Sequence, residues 1–254
     1  MEVENDDNSQ YIDMSLEKDI EAHFQENGID HEKVAYCITD LEHNIKYSMN
    51  EKDEFIAASI YKLPLAMLYY DKVNEGEYTL DSTFTYSGYM HEDAGVISSD
   101  YGIGSQVPLS DLLNDLIIYS DNDAGHILYE NLGGWKEYKE AMTKYTDSIS
   151  ENYYTMDNVT TANTMNDVVT YLYDHKEDYK GLIKNMEKAE PGEYLDRDTQ
   201  LSMPQKYGMY DYALNSVGFV ECNTSYSIVV LTSLGDKGAD VMANINRIAY
   251  EHFK

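Results

Sequence analysis

The feature that most constrains this chain is a double change of period along it. Strand-like segments lie towards both ends, and the long middle is helical. Leu16, Ile20 and Phe24 recur at helical spacing from Ser15 until Asn27-Gly28 stops the run. Val34 to Leu41 and Ile45 to Met49 then read as two strands about a polar turn at Glu42-His43-Asn44. Ser59 opens an apolar helix through Leu63, Leu65, Ala66, Leu68 and Tyr69, with Pro64 early in it, where a missing amide donor costs least. Further helices are expected over 109–119, 123–132, 135–142 and 162–173. After Pro191-Gly192 the period changes back: Lys206 to Leu214, Val217 to Glu221 and Tyr226 to Ser233 read as three strands. A closing helix carries Val241, Ile245, Ile248 and Ala249 on one face. Such a chain can pair its strands only by bringing both ends together. The expectation is an α+β fold with an antiparallel sheet made from both ends, terminal helices over one face, a helical lobe from the middle and a cleft between lobes. The expected boundaries are a disordered acidic leader over 1–13, a sheet lobe from 14–58 and 190–254, and an all-helical lobe over 59–189, all in one domain.

Charge removes several classes of function. With 18 basic against 47 acidic side chains the net charge is −29, so phosphate backbones would be repelled and nucleic acid is not an expected partner. No apolar run approaches the length of a membrane span. Met1 to Asp13 has five acids, no base and no apolar core, and so does not read as a signal peptide. The two cysteines, Cys37 and Cys222, make neither a disulfide scaffold nor a metal site, and the seven histidines lack metal spacing. Asp121-Asn122-Asp123 fails as a calcium loop, since His126 stands where glycine is needed and Leu132 where glutamate is needed. No metal or cofactor is expected.

Three short strings carry chemistry. The first is Ser59-Ile60-Tyr61-Lys62, in which Lys62 falls one helical turn after Ser59 on the same face. A serine hydroxyl is a poor nucleophile until an adjacent base takes its proton, and a lysine amine can serve when it is neutral. Ser15-Leu16-Glu17-Lys18 has the same spacing but reads as a helix start with a surface lysine. The apolar flanks Phe55-Ile56-Ala57-Ala58 and Leu63-Pro64-Leu65 imply burial for Ser59 and Lys62. The second string is Ser120-Asp121-Asn122, offering a hydroxyl to relay a proton to a leaving nitrogen and an amide to orient Lys62 and a substrate carbonyl. Asp121 is expected to turn away and cap local backbone amides. The third is Lys206-Tyr207-Gly208 at the start of a strand. There Gly208 would let a substrate backbone lie close, Lys206 would hold an anionic group and polarise Ser120, and the amide of Met209 could join that of Ser59 as an oxyanion hole.

Together these strings resemble the S-x-x-K, S-D-N and K-T-G signature of class A β-lactamase-like and penicillin-binding serine hydrolases. The likeness runs from about Ser15 to Lys254. It takes in Ala58 to Leu65, the run from Tyr119-Ser120-Asp121-Asn122-Asp123-Ala124 to Leu132-Gly133-Gly134, and Thr160-Thr161-Ala162 with its helix. It implies a β-lactamase/transpeptidase-like fold, a five-stranded antiparallel sheet flanked by helices plus an all-helical lobe. It also implies Ser59, Lys62, Ser120 and Lys206 as the catalytic set, with Asn122, Tyr207, Gly208 and Met209 binding substrate.

Three departures from the family's pattern matter. The Glu-x-x-Leu-Asn loop whose glutamate handles the deacylating water is missing from the short interval 144–158, where Glu151 is the only glutamate, and the similar string Glu190 to Asp196 comes too late in the chain. Tyr207 replaces the Thr or Ser that helps bind the substrate carboxylate. The only arginines, Arg197 and Arg247, lie off the last strands. The expected function is therefore a serine acyl-transfer hydrolase acting on β-lactams or D-alanyl-type peptidoglycan fragments through a Ser59 acyl-enzyme, with slow deacylation; a D,D-peptidase or esterase activity fits the same set. The alternative is a non-catalytic cell-wall-fragment or β-lactam binding or sensor protein. The resemblance further implies an extracytoplasmic monomer with a small-molecule or peptidoglycan-derived substrate. In the family's sheet order Cys37 and Cys222 stand two strand spacings apart, roughly 10 Å and beyond bridging distance, so both thiols are expected free.

Overall fold

The computed structural model describes residues 15–88, 95–199 and 201–254, so the expected leader over 1–13 lies outside the described residues. Helix α1 (Ser15–Asn27) leads into strands β1 (Val34–Asp40) and β2 (Ile45–Met49) and the short β3 (Phe55–Ile56). A 3-10 turn, Ala58–Tyr61, runs straight into α2 (Lys62–Asn74). Strand β4 (Thr83–Thr85), α3 (Val96–Asp100) and β5 (Gln106–Pro108) follow, then α4 (Leu109–Ile118), α5 (Asn122–Asn131) and α6 (Trp135–Met142). Next come β6 (Val159–Thr160), α7 (Ala162–Asp174) and α8 (Lys180–Met186), and the chain closes with β7 (Gln205–Tyr210), β8 (Ala213–Val220), β9 (Tyr226–Thr232) and α9 (Lys237–Phe253).

The main sheet is antiparallel in the order β2-β1-β9-β8-β7, so the last strand of the sequence sits at its centre between strands from the two ends of the chain. Both faces are covered, which is why Ile228-Val229-Val230-Leu231 shows no polar alternation. Tyr36, Ile38, Ile228 and Val230 pack with Leu16, Ile20 and Phe24 of α1 and Val241, Ile245 and Ala249 of α9. Ala35, Cys37, Val217, Val229 and Leu231 face the other way, into the core that includes Val168, Val169 and Leu172 of α7. One polar tie crosses that second layer: buried Asn166 of α7 accepts from Thr39 Oγ1 (3.2 Å) and Ser227 Oγ (2.9 Å).

Two local readings are corrected. The strand expected over 206–214 is broken by a two-residue turn at Asp211-Tyr212, and its last part belongs to β8. The turn has neither glycine nor proline and uses Asp211 at φ 53°, a conformation that aspartate adopts through local hydrogen bonding. The helix expected to open at Ser59 begins its α-helical part at Lys62, so Ser59 stands in the 3-10 turn before it. Two small ladders, β3 with β6 and β4 with β5, lie outside the main sheet. Both cysteines are free: Cys37 is on β1, Cys222 follows β8, and β9 runs between. Among the described residues no helix is long and apolar enough to cross a membrane.

Candidate active site

Ser59, Lys62, Ser120 and Asn122, which come from two distant segments of the sequence, meet at the Lys62 amine. Lys62 is fully buried, and its Nζ lies 3.0 Å from Ser59 Oγ, 2.6 Å from the Ser120 carbonyl oxygen, 3.4 Å from Ser120 Oγ and 2.5 Å from Asn122 Oδ1. A buried charge is tolerable only with partners of this kind. Local backbone makes the meeting possible. Ser120 sits at φ 56°, and the turn there joins the end of α4 to the start of α5. Asp121 is the N-cap of α5: its Oδ1 accepts from Ala124 N (2.8 Å), while Oδ2 accepts from Val96 N (2.8 Å) and Ile97 N (3.1 Å) at the start of α3. That matches the capping role expected of it, and it leaves Ser120 and Asn122 to face Lys62.

The Ser59 turn is held from two sides by residues that sequence reading passed over. Asn158 donates from Nδ2 to the Ala58 carbonyl (2.9 Å) and accepts the Ala57 amide on its own carbonyl (2.8 Å). Asn215 of β8 donates to the carbonyls of Ile56 (2.8 Å) and Ala57 (3.1 Å) and accepts from Thr232 N (3.0 Å). Between them lies Ala58 at φ 49°, a strained conformation for a residue with a Cβ, kept by these bonds. Neither asparagine belongs to a motif; the position of Asn158 just before Thr160-Thr161 was the only signal for either.

Strand β7 closes against this turn. A Cβ added at Gly208 would stand 2.6 Å from Ser59 N, 2.8 Å from Ile60 N and 3.0 Å from Ala57 O, so only glycine permits this approach. Gly208 thus admits the Ser59 backbone. Met209 follows at the cleft edge, 62% exposed. Since β7 is the outer strand and its two-residue hairpin closes at Tyr210 and Ala213, the register turns the Met209 amide away from β8.

Lys206 is not where its expected role needs it. It is fully buried, and its Nζ donates to the Tyr207 carbonyl (2.9 Å) and lies 4.1 Å from the centroid of the Tyr207 ring, with no hydrogen bond to Ser120. Burial, and then the charge of Lys62, push the Lys206 amine well below the ordinary lysine value, with Glu190 opposing them. Tyr207 stacks in turn on Tyr194, centroids 4.9 Å apart and planes at 22°. Thus the Glu190 to Asp196 segment, which only imitates the deacylation string, braces the back of β7. Asp196 there accepts from Gln205 Nε2 (2.9 Å).

The cleft over Ser59 has a volume of about 560 Å³ and is walled by Ile56, Tyr61, Asn122, Met156, Asn158, Met209 and Tyr210, among others. Asp157 is the one charged residue among its described lining residues, and Glu151 is exposed and away from it. The loop carrying Met156 and Asp157 is gathered on a buried lysine, Lys139, whose Nζ donates to the carbonyls of Tyr153 (2.5 Å), Thr155 (2.9 Å) and Asp157 (2.6 Å). Among the described residues no cluster of potential metal ligands is present.

Comparison with known proteins agrees with this architecture. The family model described as the beta-lactamase enzyme family matches residues 15–253. No curated protein matches the chain. Among solved structures, a beta-lactamase from Chitinophaga pinensis DSM 2588 is 20% identical with a TM-score of 0.78, covering 94% of this chain and 100% of that one. The TLA-3 extended-spectrum beta-lactamase is also 20% identical at 0.78, covering 94% and 98%. A point variant of PBP-A, solved as an acyl-enzyme complex with penicillin G, is 17% identical at 0.80, covering 94% and 96%. At such identities the likeness of these structures speaks for the fold.

Proposed function

This chain belongs to the beta-lactamase enzyme family, and from that premise we propose that it is a serine acyl-transfer hydrolase whose nucleophile is Ser59 and whose base is Lys62. The observation that carries the reading is how the Lys62 amine is surrounded. The Ser120 carbonyl and Asn122 Oδ1, at 2.6 and 2.5 Å, can only accept hydrogen bonds, so they occupy two N–H groups. In the neutral amine the lone pair is then left for the two hydroxyls, of which Ser59 Oγ at 3.0 Å is nearer than Ser120 Oγ at 3.4 Å. That is the arrangement a general base requires.

Acylation follows with its protons balanced. Lys62 takes the Ser59 hydroxyl proton as Oγ bonds to the substrate carbonyl carbon, and the carbonyl oxygen becomes an oxyanion held by the amides of Ser59 and Met209. Collapse breaks the carbon–nitrogen bond. The proton on Lys62 passes through Ser120 Oγ to the leaving nitrogen, which restores the neutral amine and leaves an ester on Ser59. Asn122 orients Lys62 throughout, and Gly208 keeps β7 close enough for the two amides to converge. Lys206 and Tyr207 are not among the described lining residues of the cleft.

The substrates assigned are β-lactams or D-alanyl-type peptidoglycan fragments, which sets the working place outside the cytoplasm. The site is built within one chain, which supports a monomer as the working unit. Hydrolysis of the ester should be slow, because no glutamate lies in the described lining of the cleft and Asp157 is its one acid. Intact-protein mass spectrometry after incubation with a penicillin, beside Ser59→Ala, is the test. The expected result is one adduct that needs Ser59 and persists for hours. An adduct on the Ser59→Ala protein, or none on either protein, would overturn the assignment. Rapid clearance would overturn slow deacylation alone.

A further inference from the structure

No cation is among the described residues that line the cleft, and Lys62 beside it is engaged by Ser59, Ser120 and Asn122. Lys206, the one lysine on the strand that borders the cleft, is fully buried with its Nζ against the face of the Tyr207 ring and on the Tyr207 carbonyl. Tyr207 is itself fixed by stacking on Tyr194. Arg197 is engaged by Asp198 and Asp240, and Arg247 lies on α9 beside Asn244, both away from the cleft. The charges that remain are acidic. Asp157 lines the cleft, and Glu190 is close enough to Lys206 and Tyr207 for both to sense it. Besides Ser59, Asn122 and Asn158, the rest of the wall is largely apolar and open, with Met156 77%, Tyr210 66%, Met209 62% and Ile56 42% exposed.

We propose that Tyr207 is a specificity-determining cover over Lys206, and that the cleft selects acyl substrates whose group beside the reacting carbonyl is neutral rather than a carboxylate. The inference rests on the reading of Ser59 as nucleophile and moves its preferred substrates away from free β-lactam acids and D-alanyl termini, which carry that carboxylate, towards their neutral counterparts. A carboxylate entering the cleft would shed water and meet Asp157, with no cation among the described lining residues to pair with, which is a strong penalty in a site of this kind. A neutral ester or amide in the same position keeps its acceptor oxygen and avoids that penalty. Apolar contact with Ile56, Met156, Met209 and Tyr210 would then supply most of the affinity. The amine of Lys206, held well below its ordinary value first by burial and then by Lys62, is a poor anion partner while the Tyr207 ring keeps it buried.

A matched pair isolates the charge: benzylpenicillin and its methyl ester carry the same reactive ring and side chain. Second-order acylation rates of Ser59 are read by intact mass for both, on wild type, Tyr207→Thr and Tyr207→Phe. The rates are compared as an ester-to-acid ratio within each protein, so that partial loss of folded protein cancels. The expected ratio is at or above one for wild type and for Tyr207→Phe, which retains the ring. For Tyr207→Thr it should fall at least about tenfold, because the lysine is uncovered. A wild-type ratio below one, or a ratio that Tyr207→Thr leaves unmoved, overturns the inference while the nucleophile assignment stands. If neither compound labels Ser59, the nucleophile assignment fails and this inference fails with it.

Discussion

Replacing Gly208 with alanine is the most direct mechanical test of the site. The added Cβ would lie 2.6 Å from Ser59 N, 2.8 Å from Ile60 N and 3.0 Å from Ala57 O, all backbone atoms that no side-chain rotation can move. To regain ordinary contact, β7 and the Ser59 turn must part by roughly one ångström. The turn is pinned by Asn158 and Asn215, so the outer strand has to give. Overpacking of this sort costs about 1–3 kcal/mol, which lowers Tm by roughly 2–4 °C per kcal/mol in a chain of this size. The chemical cost is larger. As β7 withdraws, the Met209 amide leaves the oxyanion, and losing one such donor slows reaction by about 10²–10³-fold. Gly125→Ala is the comparison, since its Cβ would meet the end of the Tyr61 side chain at 2.7 Å, which can swing aside. The assay is the rate of penicillin adduct formation on Ser59, with thermal melts on the same samples. The expected outcome is a slowing of about a hundredfold or more for Gly208→Ala at a modest drop in Tm, and less than about tenfold for Gly125→Ala. A Gly208→Ala protein acylated within about threefold of wild type would refute the close approach as the basis of the oxyanion site.

Two further outcomes follow from buried charges. Lys139→Met keeps the apolar stem but leaves the carbonyls of Tyr153, Thr155 and Asp157 without their donor. At roughly 1–3 kcal/mol per unpaired carbonyl, with water replacing some, the loss in urea denaturation should be about 3 kcal/mol, and the 150–158 loop should become the first site of limited proteolysis; wild-type behaviour in both would refute it. The Asp115 carboxyl is pushed up to about 7 by burial first and then by the charges of Asp121, Asp111 and Asp100. The folded state therefore holds that proton more tightly than the unfolded chain. Its stabilising contribution is full below the unfolded value near 4 and is lost as pH rises through about 7. Asp115→Asn should gain on wild type between pH 5 and pH 8 in thermal melts, and an unchanged difference across that range would refute the coupling.

The sheet and the cluster around Lys62 could be read from the sequence because each has a local signature. Strand and helix periods located most elements, and the three strings fixed which segments must meet. What could not be read depends on contacts without a pattern. Asp211 ends β7 where no glycine or proline marks a turn. Asn158 and Asn215 look like any polar residue until the carbonyls of Ala58, Ile56 and Ala57 are brought to them. Gly208 is expected from the sequence to face a substrate backbone, and the structure sets it against the Ser59 backbone. The placement of Lys206 turned on its neighbour: Tyr207 offers a ring face and a carbonyl that together take the ammonium before Ser120 can.

The central position of β9 has a consequence for how the protein comes into being. Its partners β1 and β8 flank it in space, yet Cys37 and Val229, paired in register, are roughly 190 residues apart in sequence, a separation typical of slow-folding chains. While β9 is still being made, the β1–β2 hairpin has an unpaired edge, and Asn215 has no Thr232 amide to hold it in place. The Ser59 turn, which lies in the first quarter of the chain, therefore cannot be set before the final strand docks. A growing chain would carry Ser59 for most of its synthesis with no assembled cleft around it, and the cleft would form in one step with completion of the sheet.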